Sequence, residues 1–216
     1  MATKIFTEEQ SVVNDYLAHL RNIDFQKDRH RMRRYVRLIA MSMGYEISKT
    51  LNFEWRKVDT PMGTADCEIL KDEMVVASIM RAGLPMHDGL LEVFEHADSA
   101  FIGAYRKHHK DGTFEVENEY QSSVSLDGKV LIIADVMLAT GSSMKISLKN
   151  LLDEYGVPAQ LHIATIIAAK DGYDYLQRHF PDAHYWIGAI DEELTAKNYI
   201  VPGLGDAGDI CFGEKE

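Results

Sequence analysis

The segment 130–144, VLIIADVMLATGSSM, gathers the residues best suited to chemistry in this chain. Four apolar residues and an alanine read as a buried strand with Asp135 at its carboxyl end, and Ala139, Thr140, Gly141, Ser142 and Ser143 turn the chain into a helix. Backbone N–H groups of such a small-residue turn, aided by the helix dipole, form an anion site. Thr140, Ser142 and Ser143 add hydroxyl donors, and Gly141 permits a positive φ or a close approach of backbone to phosphate. The same residues also suit a plain capped turn with Ser142 as the N-cap, so residue types alone leave the two readings level. Arg81 follows the apolar run Met74–Met80; its planar guanidinium can pair bidentately with phosphate or with a neighbouring acid. Arg106 ends the run 101–105, where it either binds a ligand or closes a strand end.

These groups must be positioned by a framework. Val36, Ile39, Ala40, Met43 and Ile47 recur at helical spacing and predict a helix over 31–50 with one buried face. Pro61 and Gly63 then break the helix and introduce extended structure. Five short apolar runs, at 74–80, 101–105, 130–134, 161–168 and 185–190, alternate with helical segments at 86–96, 142–155 and 171–180. That alternation predicts an α/β fold with a parallel sheet covered on both faces, whose ligands bind beyond the carboxyl ends of the strands. The polar excursion 106–128, with turn signals at Asp111-Gly112 and Asp127-Gly128, predicts a β-hairpin or flap.

Composition narrows the function classes. With 216 residues, 46% of them hydrophobic, and 23 Lys and Arg against 34 Asp and Glu, the chain is expected to be one soluble domain around one core. A net charge of −11 disfavours a nucleic-acid partner. The exception is 27–37, KDRHRMRRYVR, with six basic residues and one acid, which reads as a solvated helix face or as interface ion pairs. Cys67 and Cys211 lie far apart with no ligand spacing, so neither a zinc site nor a redox motif is expected and a reducing compartment fits. No apolar run reaches membrane-spanning length and the N-terminus has no signal core, so no membrane partner and a cytoplasmic location are expected. No G-x-G-x-x-G follows the first strand, which removes a nicotinamide-dinucleotide enzyme.

Three ordered segments carry a family resemblance. The loop 135–143 resembles the phosphoribosyl-pyrophosphate (PRPP) loop of the type I phosphoribosyltransferases, and its Met-Leu-Ala-Thr-Gly core is similar to the DPMLATGGS of the uracil phosphoribosyltransferase branch. Segment 78–92, SIMRAGLPMHDGLLE, resembles that branch's PILRAGLGMxDGxLE, and 199–213, YIVPGLGDAGDICFG, resembles its YIxPGLGDAGDRxFG. Tyr105-Arg106 and Tyr45-Glu46 agree more weakly, and together the matches run from about residue 30 to the C-terminus.

The resemblance implies a type I phosphoribosyltransferase fold in a single domain, 1–216, with an N-terminal arm and helix (1–50), a flap (106–128) and a base-binding hood (191–216). It implies transfer of the phosphoribosyl group from PRPP to N1 of uracil, with Mg²⁺ held mainly by PRPP and no direct protein ligand assigned. Arg81, Arg106, Asp135 and Asp206 would be the catalytic residues. PRPP would be held by these four and by Val136, Met137, Leu138, Ala139, Thr140, Gly141, Ser142 and Ser143. Uracil would meet Ile200, Gly205, Asp206 and Ala207, where glycine lets backbone amides and carbonyls reach a flat ring. A homodimer or homotetramer is implied, and GTP is an effector that some members use. Departures from the pattern are Val136 for Pro, Ser142 for the second Gly, Pro85 in the RAGL turn, and Lys107-His108-His109 after Arg106. Ser142 either crowds the 5′-phosphate or gives it a hydrogen bond, and Pro85 suits a first helical turn. The competing readings are a PRPP- or UMP-binding regulator and a transferase for another nucleobase.

Overall fold

Buried apolar runs that share backbone hydrogen bonds build the core. The computed structural model describes residues 2–108 and 114–214, and the side chains outside 104–119. In chain order the elements are β1 (Thr3–Ile5), α1 (Val12–Arg21), α2 (Arg29–Ser48), β2 (Phe53–Thr60), β3 (Gly63–Leu70), β4 (Met74–Met80), α3 (Leu84–Leu91), β5 (Asp98–His108), β6 (Phe114–Ser122), β7 (Val130–Leu138), α4 (Ser142–Tyr155), β8 (Gln160–Ala169), α5 (Lys170–His179), β9 (His184–Asp191), β10 (Glu193–Leu194), β11 (Ile200–Val201) and α6 (Ala207–Phe212).

Seven strands form one sheet in the order β1-β9-β8-β7-β4-β5-β6. It is parallel throughout except for β6, which runs antiparallel to β5 at the edge. Alternate residues of each strand face opposite layers. Val76, Ile132 and Ala164 pack under α2 and α3 with Val36, Ile39, Met43 and Leu90. Val75, Leu131 and Ile163 pack on the other face against Leu148, Leu151 and Leu176 of α4 and α5. Every residue of the predicted stripe on α2 is buried. That helix starts two residues earlier than its periodicity suggests because Asp28 caps it, its carboxylate accepting from Arg31 N at 3.0 Å.

Three expectations need adjustment. The strand that carries Asp135 does not stop at Ala134 but continues to Leu138, because Val136 and Leu138 are buried and keep the two-residue alternation. Asp135 therefore lies inside the strand. The flap begins as an extension of the sheet through β5 and β6, while the end of the 106–128 stretch returns to the body, where Leu126 is fully buried; the Asp111-Gly112 turn lies outside the described residues. The extended structure after the helix is a separate ribbon of β2 and β3 turned at Thr60–Gly63, with Thr60 Oγ1 donating to Gly63 O at 2.7 Å. Among the described residues it pairs with no other strand, and it leaves Phe53, Trp55 and Met62 exposed.

Candidate active site

Parallel strands deliver their carboxyl ends to one side of the sheet, and the expected site residues cluster there. The 139–141 turn leaves β7 and starts α4 with Gly141 as the N-cap at φ 79°. Gly141, not Ser142, occupies the cap because this left-handed backbone suits a residue without a Cβ. A side chain at Gly141 would also come within 3.0 Å of both Gly172 O and the Tyr175 ring. The first N–H groups of α4 have no partner within the helix and face the 139–141 turn. Ser142 is turned back on the loop: Thr140 Oγ1 donates to its Oγ at 3.2 Å and its N–H meets Thr140 Oγ1 at 3.4 Å. Beneath the loop, the buried Thr165 hydroxyl donates to Val136 O at 3.3 Å, and α5 presses Gly172 against the Ala139 carbonyl so closely that no side chain fits between them.

Arg81 stands on the turn between β4 and α3. Gly83 lets that turn lie against the neighbouring strand, since a Cβ there would be 2.6 Å from Ile79 O and 2.8 Å from Ala134 O. Pro85 falls in the first turn of α3, as expected. The Arg81 guanidinium donates from Nη2 to Asp209 Oδ1 at 2.7 Å and from Nη1 to Gly213 O at 3.1 Å, and its buried Nε has no partner among the described residues. Of the two alternatives for Arg81, the pairing with an acid is thus the one observed, through Asp209 at the carboxyl side of the sheet.

The hood follows from its turn chemistry. Gly203 and Gly205 take φ of 56° and 89°. Asp206 caps α6, accepting from Asp209 N at 3.0 Å. A Cβ on Gly208 would lie 3.2 Å from Asp206 Oδ1 and 3.6 Å from Arg81 Nη2, so that glycine lies beside both side chains. The fold therefore brings Arg81 to the hood bearing Asp206, and sets the Arg81 turn against β7, the strand of Asp135. Ile200 and Ala207 are buried. The Arg106 side chain lies outside the described ones; its backbone pairs with Val116 at the root of β6.

Several contributors escaped the sequence reading. Arg21 donates to both carboxylate oxygens of Asp191, at 2.8 and 2.7 Å, and to Gly203 O at 2.9 Å. Asp191 also accepts from Gly203 N at 2.9 Å. Burial would raise the Asp191 carboxyl, but the Arg21 guanidinium and the Gly203 N–H outweigh it and hold it below its usual value. Arg21 and Asp191 are 170 positions apart, and no local pattern links them. Asp209 was read only as the end of the 203–209 segment expected to line the base pocket, and the structure makes it the partner of Arg81. Of the basic stretch, Arg37 pairs with Asp88 and Arg33 donates to Cys211 O at 2.6 Å, so part of that charge is used inside the chain. Among the described residues no three or more His, Cys, Asp or Glu side chains are grouped to hold a metal ion, and no helix is long and apolar enough to cross a membrane.

Comparison with known proteins agrees with this geometry. The family model described as uracil phosphoribosyltransferase matches residues 7–214. A uracil phosphoribosyltransferase of Porphyromonas gingivalis is 45% identical over 208 residues, 96% of each chain. One of Pyrococcus furiosus is 36% identical over 96% of this chain and 88% of its own. The solved structure of the AQ2163 protein from Aquifex aeolicus superimposes with a TM-score of 0.87 at 28% identity and covers 98% of both chains. With the loop, the arginine turn and the hood all in place within a match that spans nearly the whole sequence, this chain belongs to the uracil phosphoribosyltransferase family.

Proposed function

We propose that this protein transfers the 5-phosphoribosyl group of PRPP to N1 of uracil, giving UMP and pyrophosphate. The observation that carries the reading is the meeting of Arg81 with the Asp206 hood beside the strand that leads into the phosphate loop. In the reaction the bond from C1′ to pyrophosphate oxygen breaks with its electron pair, N1 of the base bonds to C1′, and the N1 proton is lost. Positive charge grows on the ribose and negative charge on the leaving group, so fixed charges and dipoles supply the catalysis. Arg81 and Arg106 hold the pyrophosphate, Asp135 holds the ribose hydroxyls, and residues 136–143 hold the 5′-phosphate through backbone amides and the Thr140–Ser143 hydroxyls. Ile200, Gly205, Asp206 and Ala207 receive uracil.

Mg²⁺ would accompany PRPP and neutralise the phosphate oxygens when bound. A hard ion that keeps substrate and water ligands suits this chain: among the described residues no three or more His, Cys, Asp or Glu side chains are grouped as a dedicated cage, and Asp135 would act on the ribose hydroxyls directly or through the ion. We place the enzyme in the cytoplasm, where its two free cysteines remain reduced. A homo-oligomer fits the β2–β3 ribbon, which is marginal alone in water and carries Trp55 at 69% exposure.

UMP formation from PRPP with Mg²⁺ tests the reading, with cytosine, hypoxanthine and orotate as competing bases and GTP present or absent. Turnover with uracil alone supports it. Turnover with another base instead moves the specificity, and PRPP binding without turnover makes the protein a regulator.

A further inference from the structure

The hood loop is held from outside by the N-terminal segment. Three hood carbonyls are met by side chains from residues 21–33: Gly203 O by Arg21 at 2.9 Å, Leu204 O by Gln26 Nε2 at 2.7 Å, and Cys211 O by Arg33 at 2.6 Å. Each suits a group that the local backbone leaves without a donor. Gly203 and Gly205 are left-handed, so the loop between them cannot form a regular ladder, and Cys211 lies in the last turn of a short helix, where carbonyls have no helical partner. Asp191 completes the clamp by taking the Gly203 N–H and both arms of Arg21. Gln26 is itself fixed by a second bond to Leu20 O at 2.8 Å.

We infer that Arg21, Gln26 and Asp191 are positioning residues that set the geometry of the 203–206 loop, and through it the affinity for the nucleobase. The inference rests on the proposed assignment of that loop to uracil. The brace grips the loop at Gly203 and Leu204, whereas the Arg81 contacts lie at Asp209 and Gly213. Loosening the brace should therefore weaken base binding more than PRPP binding.

The test varies uracil and PRPP separately in steady-state assays of the wild type, Gln26→Leu, Arg21→Lys and Asp191→Asn, with amide hydrogen exchange of 203–206 measured on the same proteins. Loss of the single Gln26 bond should raise KM for uracil about fivefold, and loss of the Arg21 fork about tenfold or more. KM for PRPP should stay within about twofold, and exchange at 203–206 should quicken. Gln26→Leu leaves no buried charge behind, so it serves if Asp191→Asn does not fold. Unchanged exchange in a folded Gln26→Leu overturns the brace. So does a fall in melting temperature with KM for uracil unchanged, or an equal rise in both KM values. If the wild type does not use uracil, the substrate assignment falls, and faster exchange at 203–206 still upholds the brace.

Discussion

Gly172→Ala sets two effects of opposite sign against each other. Gly172 lies in α5, away from every expected site residue in sequence, and alanine in a helix is favoured over glycine by about 1 kcal/mol. On propensity alone the variant should be more stable. A Cβ at this position, however, would overlap the Ala139 carbonyl oxygen and stand 2.9 Å from the Ala139 carbonyl carbon and 3.0 Å from Leu138 O. The loop or the helix must yield by roughly 1 Å to restore normal contact. Overpacking of this kind costs about 1–3 kcal/mol, which outweighs the propensity gain and lowers the melting temperature by a few degrees for a chain of this size. The functional cost is larger, because a displacement of about 1 Å in a phosphate cradle can reduce rate by as much as ~100-fold. Steady-state assays should show kcat/KM for PRPP falling about 10- to 100-fold. Gly128→Ala is the control: its φ is 76° but nothing lies within 4 Å of the added carbon, so it should lose about 1 kcal/mol with normal kinetics. A Gly172→Ala protein that melts higher and keeps wild-type kcat/KM would refute the packing of α5 on the loop as the support of the PRPP site.

Three further outcomes are expected. Burial, with a smaller contribution from His184, pushes the His162 imidazole down to about 3, and Trp186 Nε1 donates to its Nδ1 at 3.0 Å, which fixes the neutral ring. Because the unfolded chain takes up that proton near pH 6.5 and the folded one does not, stability is full above pH 6.5 and declines as pH falls toward 3. Urea unfolding should show about 2 kcal/mol lost between pH 7 and pH 5, a slope that His162→Gln removes; His87 and His184 are shifted in the same direction and remain in both proteins. Arg81→Lys keeps the charge but loses the two-armed hold on Asp209 and Gly213 and the fork on phosphate, and should raise KM for PRPP about tenfold or more in assays with PRPP varied; an unchanged KM would remove Arg81 from the site. Ser142→Gly restores the family residue and removes only the hydroxyl pair with Thr140, so KM for PRPP should remain within about threefold.

How much of this was readable in the sequence depended on where each residue's partners lie. β4 and α4 fall on the predicted residues because an uninterrupted apolar run and a helical stripe are local signals that burial on this sheet reinforces. The ribbon of β2 and β3 was read only as extended structure, since β2 is almost wholly exposed and the alternation of Ala65, Cys67 and Ile69 on β3 is short and only half-buried. The end of β7 was misjudged because Asp135 looks like a terminus, although Val136 and Leu138 continue the buried alternation beyond it. Glycines were legible as turn residues, but that Gly83 fits against Ala134 and Gly172 against Ala139 is a property of neighbouring elements. The Arg21–Asp191 clamp, joining the end of α1 to the end of β9, had no signature at all.

The Arg81–Asp209 ion pair ties the turn after β4 to α6. A guanidinium already paired with a carboxylate presents an incoming diphosphate with a competition between anions rather than a bare charge, so entry loosens the Asp209 contact and with it the grip on α6. On the proposed assignment, this makes the two substrates energetically coupled: whatever draws Arg81 toward phosphate alters the freedom of the segment that encloses the base. Such coupling is reciprocal by thermodynamic necessity. The occupant of the hood must therefore change the affinity for pyrophosphate by the same factor, even without touching it.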